Sequence, residues 1–396
     1  MTEPKKDGAR QAHRSSDDLL MIYTGGTTGL PKGVMWRQGD LIAKGNYCAD
    51  QLSGVGPLQS PQEAGPRAAA TPIRPVIVIA SPLMHATGLI NAIGVLASGG
   101  TVVLLAEPGF KAAELWQAVE DHRASQIAIV GQSFAQPMLE ALDAEPARWD
   151  VSSVRRITSS GVMWSRENKH GLLRHMPDAL LIDSFSSSEA MSLGISLTSR
   201  AHETETAAFQ LGENCAVFDE AHRRIMPGSL EAGRVAVSGY IPVGYYKDPE
   251  KTAKTFPTIE GRRWSMPGDW ARIEQDGTLT LLGRGSQCIN SGGEKIFPEE
   301  VEEALKQHPL VRDAAVTGIP DPRFGERIVA LVECGGDGAG NDDDVEACLI
   351  AHVGQALAAY KVPRRIITVA SLERAPNGKL DYAAVKRRAT ASLNSL

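Results

Sequence analysis

The chain has 396 residues, a formal net charge of −6, and 42% hydrophobic against 22% charged content. That length is too great for one compact core and predicts two or more lobes, while the composition excludes general disorder. The mild negative balance gives no reason to invoke nucleic acid or an anionic membrane, and no apolar run approaches the ~20 residues of a membrane span.

Residues 1–16 read as a flexible leader, and the polar stretch 1–14 lacks the apolar centre of a signal peptide. Cys48, Cys215, Cys288, Cys334 and Cys348 are scattered and without C-x-x-C spacing. They read as reduced thiols, neither disulfides nor a zinc site, and the expectation is a soluble cytoplasmic protein. Leu19-Leu20-Met21-Ile22 reads as a strand, a helix is predicted over 40–51, and the Gly-, Pro- and Ala-rich stretch 52–75 as a loop. An alternation then sets in. Strands are predicted at 76–80, 101–105, 126–130, 154–158 and 179–183, with helices at 89–97, 111–122, 133–142 and 165–175. Near-continuous apolar strands separated by helices predict a parallel α/β sheet, whose ligands sit at the carboxyl ends of the strands.

From Gly212 the pattern changes to short alternating strands, as at 234–238 and in a hairpin of 270–273 with 278–281 across Asp276-Gly277. Beyond Gly283-Arg284 a compact α+β segment follows. It has a helix opening at Pro298, strands near 314–319 and 328–333, a loop over 335–344, and helices at 345–358 and 381–391. The expected fold class is thus α/β: a large lobe with a mostly parallel sheet and a β-rich subdomain over 17–283, then a small mobile α+β lobe over 284–396.

The most informative stretch is Tyr23-Thr24-Gly25-Gly26-Thr27-Thr28-Gly29-Leu30-Pro31-Lys32-Gly33-Val34. Glycines let the backbone approach a ligand closely, and successive N–H groups in such a turn form an anion nest. The threonine hydroxyls add donors, and Lys32 adds the positive charge a triphosphate needs. The phrase is not a Walker A loop, because Pro31 stands where the last glycine should be and Gly33 follows the lysine. It resembles the phosphate loop of the adenylate-forming superfamily, which includes acyl-CoA synthetases, aryl-CoA ligases, adenylation domains and luciferases. The following Val34-Met35-Trp36 resembles the bacterial fatty-acyl-CoA synthetase branch.

Further phrases carry the same resemblance in the same order. Ser81-Pro82-Leu83-Met84-His85-Ala86-Thr87-Gly88 resembles the family's P-L-x-H-x-x-G motif, which implies that His85 lies beside the carboxylate substrate. Taken alone, it reads as a satisfied histidine near a core. Gly161-Val162-Met163 resembles the adenine loop; by itself it is a strand-to-helix turn. In Asp183-Ser184-Phe185-Ser186-Ser187-Ser188-Glu189 the resemblance implies that Phe185 stacks on adenine, Ser188 touches phosphate and Glu189 holds Mg²⁺. One carboxylate suffices for a hard cation that also has phosphate ligands. Ser186 stands where the family usually has glycine.

Gly268-Asp269 and Gly283-Arg284 resemble the G-D…G-R pair. Asp269 is then the expected ribose ligand and Arg284 a ribose or phosphate contact. Asn290-Ser291-Gly292-Gly293-Glu294-Lys295 resembles the loop that lines the pantetheine tunnel, where Gly292 and Gly293 let a thin chain pass. At Ser286 the family usually places Asp or Lys as a hinge. Pro376-Asn377-Gly378-Lys379-Leu380-Asp381 matches the C-terminal lysine motif. This makes Lys379 the candidate cation for the charge that spreads over the α-phosphoryl group and the carboxylate.

The resemblance runs from about residue 17 to 381 and implies an ATP-dependent acid–thiol ligase. ATP with Mg²⁺ and a carboxylic acid, fatty or related, would give acyl-AMP and pyrophosphate. The C-terminal lobe would then turn, and the thiol of coenzyme A would take the acyl group. Two other readings stay open: an acyl-AMP ligase that loads a carrier protein, and a silent homologue that binds nucleotide or a partner. Usual members carry a sizeable subdomain before the phosphate loop, which here begins at Tyr23. The expectation is therefore an N-terminally truncated large lobe whose uncovered face associates with itself or a partner.

Overall fold

The computed structural model describes residues 15–24, 32–53, 58, 60–70, 74–162, 164–202, 207–212, 214–291, 294–335, 342–375 and 378–394. Strand β1 (Leu19–Thr24) pairs antiparallel with β2 (Lys32–Arg37), which sets Thr24 opposite Lys32 at the two ends of the glycine- and threonine-rich stretch. Helix α1 (Gln38–Ser53) follows directly. The stretch 52–75, expected to be loop, instead carries a 3₁₀ turn (Pro61–Glu63) and a short helix α2 (Ala64–Ala70). Alanines at four of its seven positions favour helix strongly, and Pro66 falls in the first turn, where a missing N–H costs nothing.

The expected parallel sheet forms. Strands β3 (Val76–Ile79), β4 (Thr101–Leu104), β5 (Gln126–Ile129), β6 (Arg156–Ser160) and β7 (Leu180–Phe185) run parallel in the spatial order β4-β3-β5-β6-β7. Helix α3 (Ala86–Ala97) covers one face through Ala92 and Val95, packed on Ile77 and Ile79. Helices α4 (Ala112–His122), α5 (Gln132–Ala144) and α6 (Arg166–His175) cover the other, burying Leu115, Trp116, Phe134, Met138 and Leu172. Both faces of β3, β5, β6 and β7 are covered, which explains why these strands read as largely apolar, while Thr101 and Leu104 of the edge strand β4 stay exposed.

Strand β8 (Gly194–Thr198) adds antiparallel to β7 and starts a β-rich extension of the same sheet. Its further strands are β9 (Ala208–Leu211), β10 (Cys215–Phe218) and β11 (Gly233–Ser238). Strand β12 (Gly244–Tyr245) leaves that sheet and pairs with β2 instead, and the short helix α7 (Pro249–Thr255) follows it. Strands β13 (Thr258–Ile259), β14 (Arg262–Ser265), β15 (Asp269–Ile273) and β16 (Thr278–Arg284) complete the thirteen-stranded sheet. The expected hairpin is β15–β16, with Gly277 at φ +85° in its turn.

After a 3₁₀ turn (Gly285–Gln287) the chain builds a second core on a five-stranded sheet. It comprises β17 (Ile289–Ser291), β18 (Glu294–Ile296), α8 (Pro298–Lys306), β19 (Val311–Asp321), β20 (Gly325–Cys334), α9 (Asp342–Ala356), β21 (Arg365–Thr368) and α10 (Tyr382–Asn394). Helices α8 and α9 pack on one face through Val301, Leu305, Leu349 and Val353, and α10 packs on the other through Val385 and Ala389. Among the described residues no helix is long and apolar enough to cross a membrane.

Candidate active site

The glycine- and threonine-rich turn, Gly25, Gly26, Thr27, Thr28 and Gly29 included, lies outside the described residues, as do Met163, Gly292 and Gly293. Strand β2 buries Val34 and Trp36 completely, and the Trp36 indole Nε1 donates to the Ser188 carbonyl at 2.9 Å. The loop after β7 is also pinned from the β-rich side, where Ser265 Oγ donates to the Glu189 carbonyl at 2.6 Å. Inside the loop, Ser187 and Ala190 exchange backbone hydrogen bonds, and Ser186 Oγ accepts from the Ser192 N–H at 3.1 Å. The serine-rich composition thus makes a tight turn that presents Glu189. The Tyr245 hydroxyl donates to Glu189 Oε1 at 2.8 Å, and burial followed by that carboxylate pushes the phenol well up.

The other expected residues gather at the carboxyl ends of the parallel strands, where an open α/β sheet places its ligands. His85 precedes α3, where burial and then the nearby Lys379 ammonium lower its imidazole. Gly161, just past β6, has φ +92°, a conformation natural to glycine. Ser184 and Ser186 hydroxyls meet at 3.1 Å. The Phe185 ring lies 5.5 Å from that of Phe209, and both are buried, forming an aromatic wall. Asp183 is buried and faces Lys169 of α6 at 3.5 Å; burial still pushes its carboxyl up to about 6.

On the β-rich side, Asp269 and Arg284 are cross-strand partners in β15 and β16, with Arg284 Nε 3.3 Å from Asp269 Oδ1. Asp269 Oδ2 is buried with no partner among the described residues, an acceptor left open for a ligand hydroxyl. Burial raises the Asp269 carboxyl and Arg284 lowers it again. From the C-terminal lobe comes the turn that carries Lys379. The Gly378 N–H donates to the Ala375 carbonyl at 2.8 Å, and Arg374, paired with Asp313, donates to the Gly378 carbonyl at 2.9 Å. Burial, then Arg284, lower the Lys379 ammonium, while Glu189 and Asp269 raise it.

Two adjoining cavities result. One is lined by His85, Ile90, Val130, Ile182, Met191 and Ile195 and is mainly apolar. The other is lined by Phe185, Phe209, Asp269, Arg284, Glu299 and Tyr382. Gly161, Ser184, Ser186 and Lys379 line both. A long cation at the junction of an apolar slot and a slot with an aromatic wall and a diol acceptor can span two reactants. It can steady charge that develops between them.

Trp36, Tyr245, Ser265 and Glu299 belong to this constellation, yet sequence reasoning did not single them out as site residues. The phrase Tyr245-Tyr246-Lys247-Asp248-Pro249 carries a helix-start signal, Asp before Pro, that could have flagged Tyr245. Ser265 gives no local signal at all.

The family model described as AMP-binding enzyme matches residues 2–246, and that described as AMP-binding enzyme C-terminal domain matches residues 300–379. The medium/long-chain-fatty-acid–CoA/3-oxocholest-4-en-26-oate–CoA ligase of Mycolicibacterium smegmatis is 41% identical over 373 residues, covering 93% of this chain and 66% of its own length. The 3-oxocholest-4-en-26-oate–CoA ligase of Rhodococcus rhodochrous is 39% identical, covering 93% of this chain and 66% of its own. The chain therefore spans about two thirds of the length of the curated relatives it matches. Among solved structures, the amide bond synthetase McbA of Marinactinospora thermotolerans has a TM-score of 0.78 at 26% identity, covering 98% of this chain and 72% of that one. An anthranilate–CoA ligase in complex with anthranoyl-AMP shares the fold, with a TM-score of 0.77 at 20% identity over 96% of this chain and 70% of that one. With the two family models matching in the order in which the two cores are built, the chain belongs to the AMP-binding enzymes.

Proposed function

We propose that the chain carries out ATP-dependent activation of a carboxylic acid and passes the acyl group to coenzyme A. A carboxylate oxygen attacks the α-phosphorus, the bond to the bridging oxygen breaks, and pyrophosphate leaves. The coenzyme A thiol then attacks the acyl carbonyl, loses its proton, and AMP departs. The observation that carries this reading is that Lys379 lines both cavities. The apolar cavity suits an acyl chain. The other suits a nucleotide, with the Phe185–Phe209 wall for the base and Asp269 with Arg284 for the ribose.

In this reading Lys379 bridges the attacking carboxylate and the α-phosphoryl group. His85, lowered by burial and by Lys379, acts as a neutral imidazole beside the acid. Thr24, Lys32 and Ser188 face the phosphates. Magnesium fits the residues present. Glu189 is oriented by Tyr245, and among the described residues no group of three ligating side chains forms a cage. A single carboxylate plus phosphate oxygens is how this cation is usually held with nucleotides. Glu189 would hold it, and bound magnesium would offset phosphate charge. The names of the relatives, medium- and long-chain fatty acids and 3-oxocholest-4-en-26-oate, support a long aliphatic or sterol-side-chain acid.

The test is acid-dependent exchange of labelled pyrophosphate into ATP over short, medium, long-chain, sterol and aryl acids. Lys379→Ala should lower exchange by ~10²–10³. It should leave thioester formation from supplied acyl-AMP much less affected. Exchange that does not depend on an acid, or a Lys379→Ala variant as active as the parent, would sink the reading. A requirement for a carrier protein in place of coenzyme A would correct its second half.

A further inference from the structure

Outside the residues already placed, a second cation stands in the corner where the phosphate loop returns to the sheet. Strand β12 pairs with β2, with Tyr245 opposite Val34, and the Tyr246 N–H donates to the Gly33 carbonyl at 2.8 Å. Helix α7 is tied to that strand. Tyr245 N–H donates to Thr252 Oγ1 at 2.9 Å, and Asp248 caps the helix by accepting from the Lys251 N–H at 3.0 Å. The Lys251 ammonium is thereby held 5.3 Å over the Tyr245 ring, whose hydroxyl donates to Glu189. Lys32 is the first residue of β2, next to the Gly33 that receives Tyr246.

Two ammonium groups therefore share one corner. Burial and the neighbouring Lys32 lower Lys251, in that order, against smaller upward pulls from Glu189 and Asp248. Like charges held side by side by hydrogen-bonded backbone repel unless an anion lies between them. The nearby base of the phosphate loop supplies the reason for such an anion.

We propose that Lys251 is a substrate-binding residue that pairs with Lys32 on the terminal phosphates of ATP and on the departing pyrophosphate. This inference rests on the reading that the second cavity holds the nucleotide. It assigns Lys251 to the β,γ-phosphate end, away from Lys379 at the α-phosphoryl group. The Tyr245 ring beneath the ammonium fixes its position, and the Tyr245 hydroxyl couples it to Glu189, so cation and carboxylate are set as one unit.

The test is calorimetric titration of the full chain, in magnesium-containing buffer, with ATP, pyrophosphate and AMP. Lys251→Ala should weaken ATP and pyrophosphate about tenfold, as expected for one charge-assisted contact. It should move AMP less than twofold. Lys251→Arg should restore most of the loss, and thermal melting should confirm that both variants fold. Equal weakening of ATP and AMP would assign Lys251 a structural role under Tyr245 and overturn the proposal, as would no change in either. A parent chain that binds AMP but neither ATP nor pyrophosphate would overturn the Lys251 assignment alone. A parent chain that binds no nucleotide would overturn it together with the reading beneath it.

Discussion

Lys169 and Asp183 illustrate how a site residue depends on a charge far from it in sequence. The Asp183 carboxyl is buried 3.5 Å from the Lys169 ammonium, with side-chain exposures of 9% and 3%. Burial outweighs that attraction and pushes the acid to about 6, with Glu303 adding a little more. Replacing Lys169 by methionine leaves a buried carboxylate without its cation, which typically costs ~3–5 kcal/mol. A carboxyl whose native pKa lies above its unfolded value gives stability that is whole below the unfolded value and is lost as pH rises towards about 6. The variant should therefore lose more stability at pH 7.5 than at pH 5, since its unpaired Asp183 takes up a proton more readily still. Urea unfolding at the two pH values measures this, and an equal loss at both would contradict it. The strand and its aspartate were legible in the sequence. The lysine that partners the aspartate was not, because nothing around residue 169 distinguishes an inward-facing lysine from a solvated one.

The turn that delivers Lys379 behaves as an element with one permitted residue at its centre. Gly378 has φ +76°, and a Cβ there would meet Ser133 Oγ at 2.1 Å and Ser133 Cβ at 3.2 Å on helix α5 of the other lobe. Ser133 is itself fixed by donating to the Val130 carbonyl at 3.0 Å. Gly378→Ala should thus shift the turn away from α5 and move Lys379 from the junction of the cavities. A displacement of about 1 Å can cost ~10²-fold in rate. Acid-dependent pyrophosphate exchange should fall by about that factor while the melting temperature changes little; unchanged exchange would show that the turn tolerates a side chain. This turn was legible because Pro-Asn-Gly-Lys is a local phrase, and the parallel sheet was legible because apolar runs alternate with amphipathic helices. Elements defined only by distant partners were not. Strand β12 is two residues long and exists because β2 offers it an edge, and α2 was hidden by a Gly-Pro pair that reads as a loop. Tyr245 and Lys251 fell into that blind region.

At the scale of the molecule, one contact between the two cores is made by Glu299, the second residue of α8. Its Oε1 accepts the Arg284 N–H at 3.2 Å at the end of β16. A Cβ on Gly283 would meet its Oε2, an atom buried without a partner among the described residues, at 2.1 Å. The carboxyl therefore fits into the space that glycine leaves at the seam. Arg284 and Asp269 face it from the sheet, Glu302 from its own helix and Tyr382 from α10. Burial, then Glu302, push it from the ordinary 4.5 up to about 8. The seam thus favours the protonated acid. Its contribution is whole below about pH 4.5 and is lost progressively as pH rises to about 8, because the ionised form is tolerated in the unfolded chain and penalised here. Glu299→Gln keeps the shape and the acceptor and removes the titration. The variant should match the parent in melting temperature near pH 5 and exceed it increasingly up to pH 8.5. Every other titrating group is common to both proteins, so the difference curve isolates this residue. Limited proteolysis at the Gly285–Gln287 turn should follow the same course, with cleavage rising with pH in the parent and nearly flat in the variant. Parallel melting profiles across that range would mean that Glu299 is ionised at the seam throughout, and that the two cores are held together by other contacts.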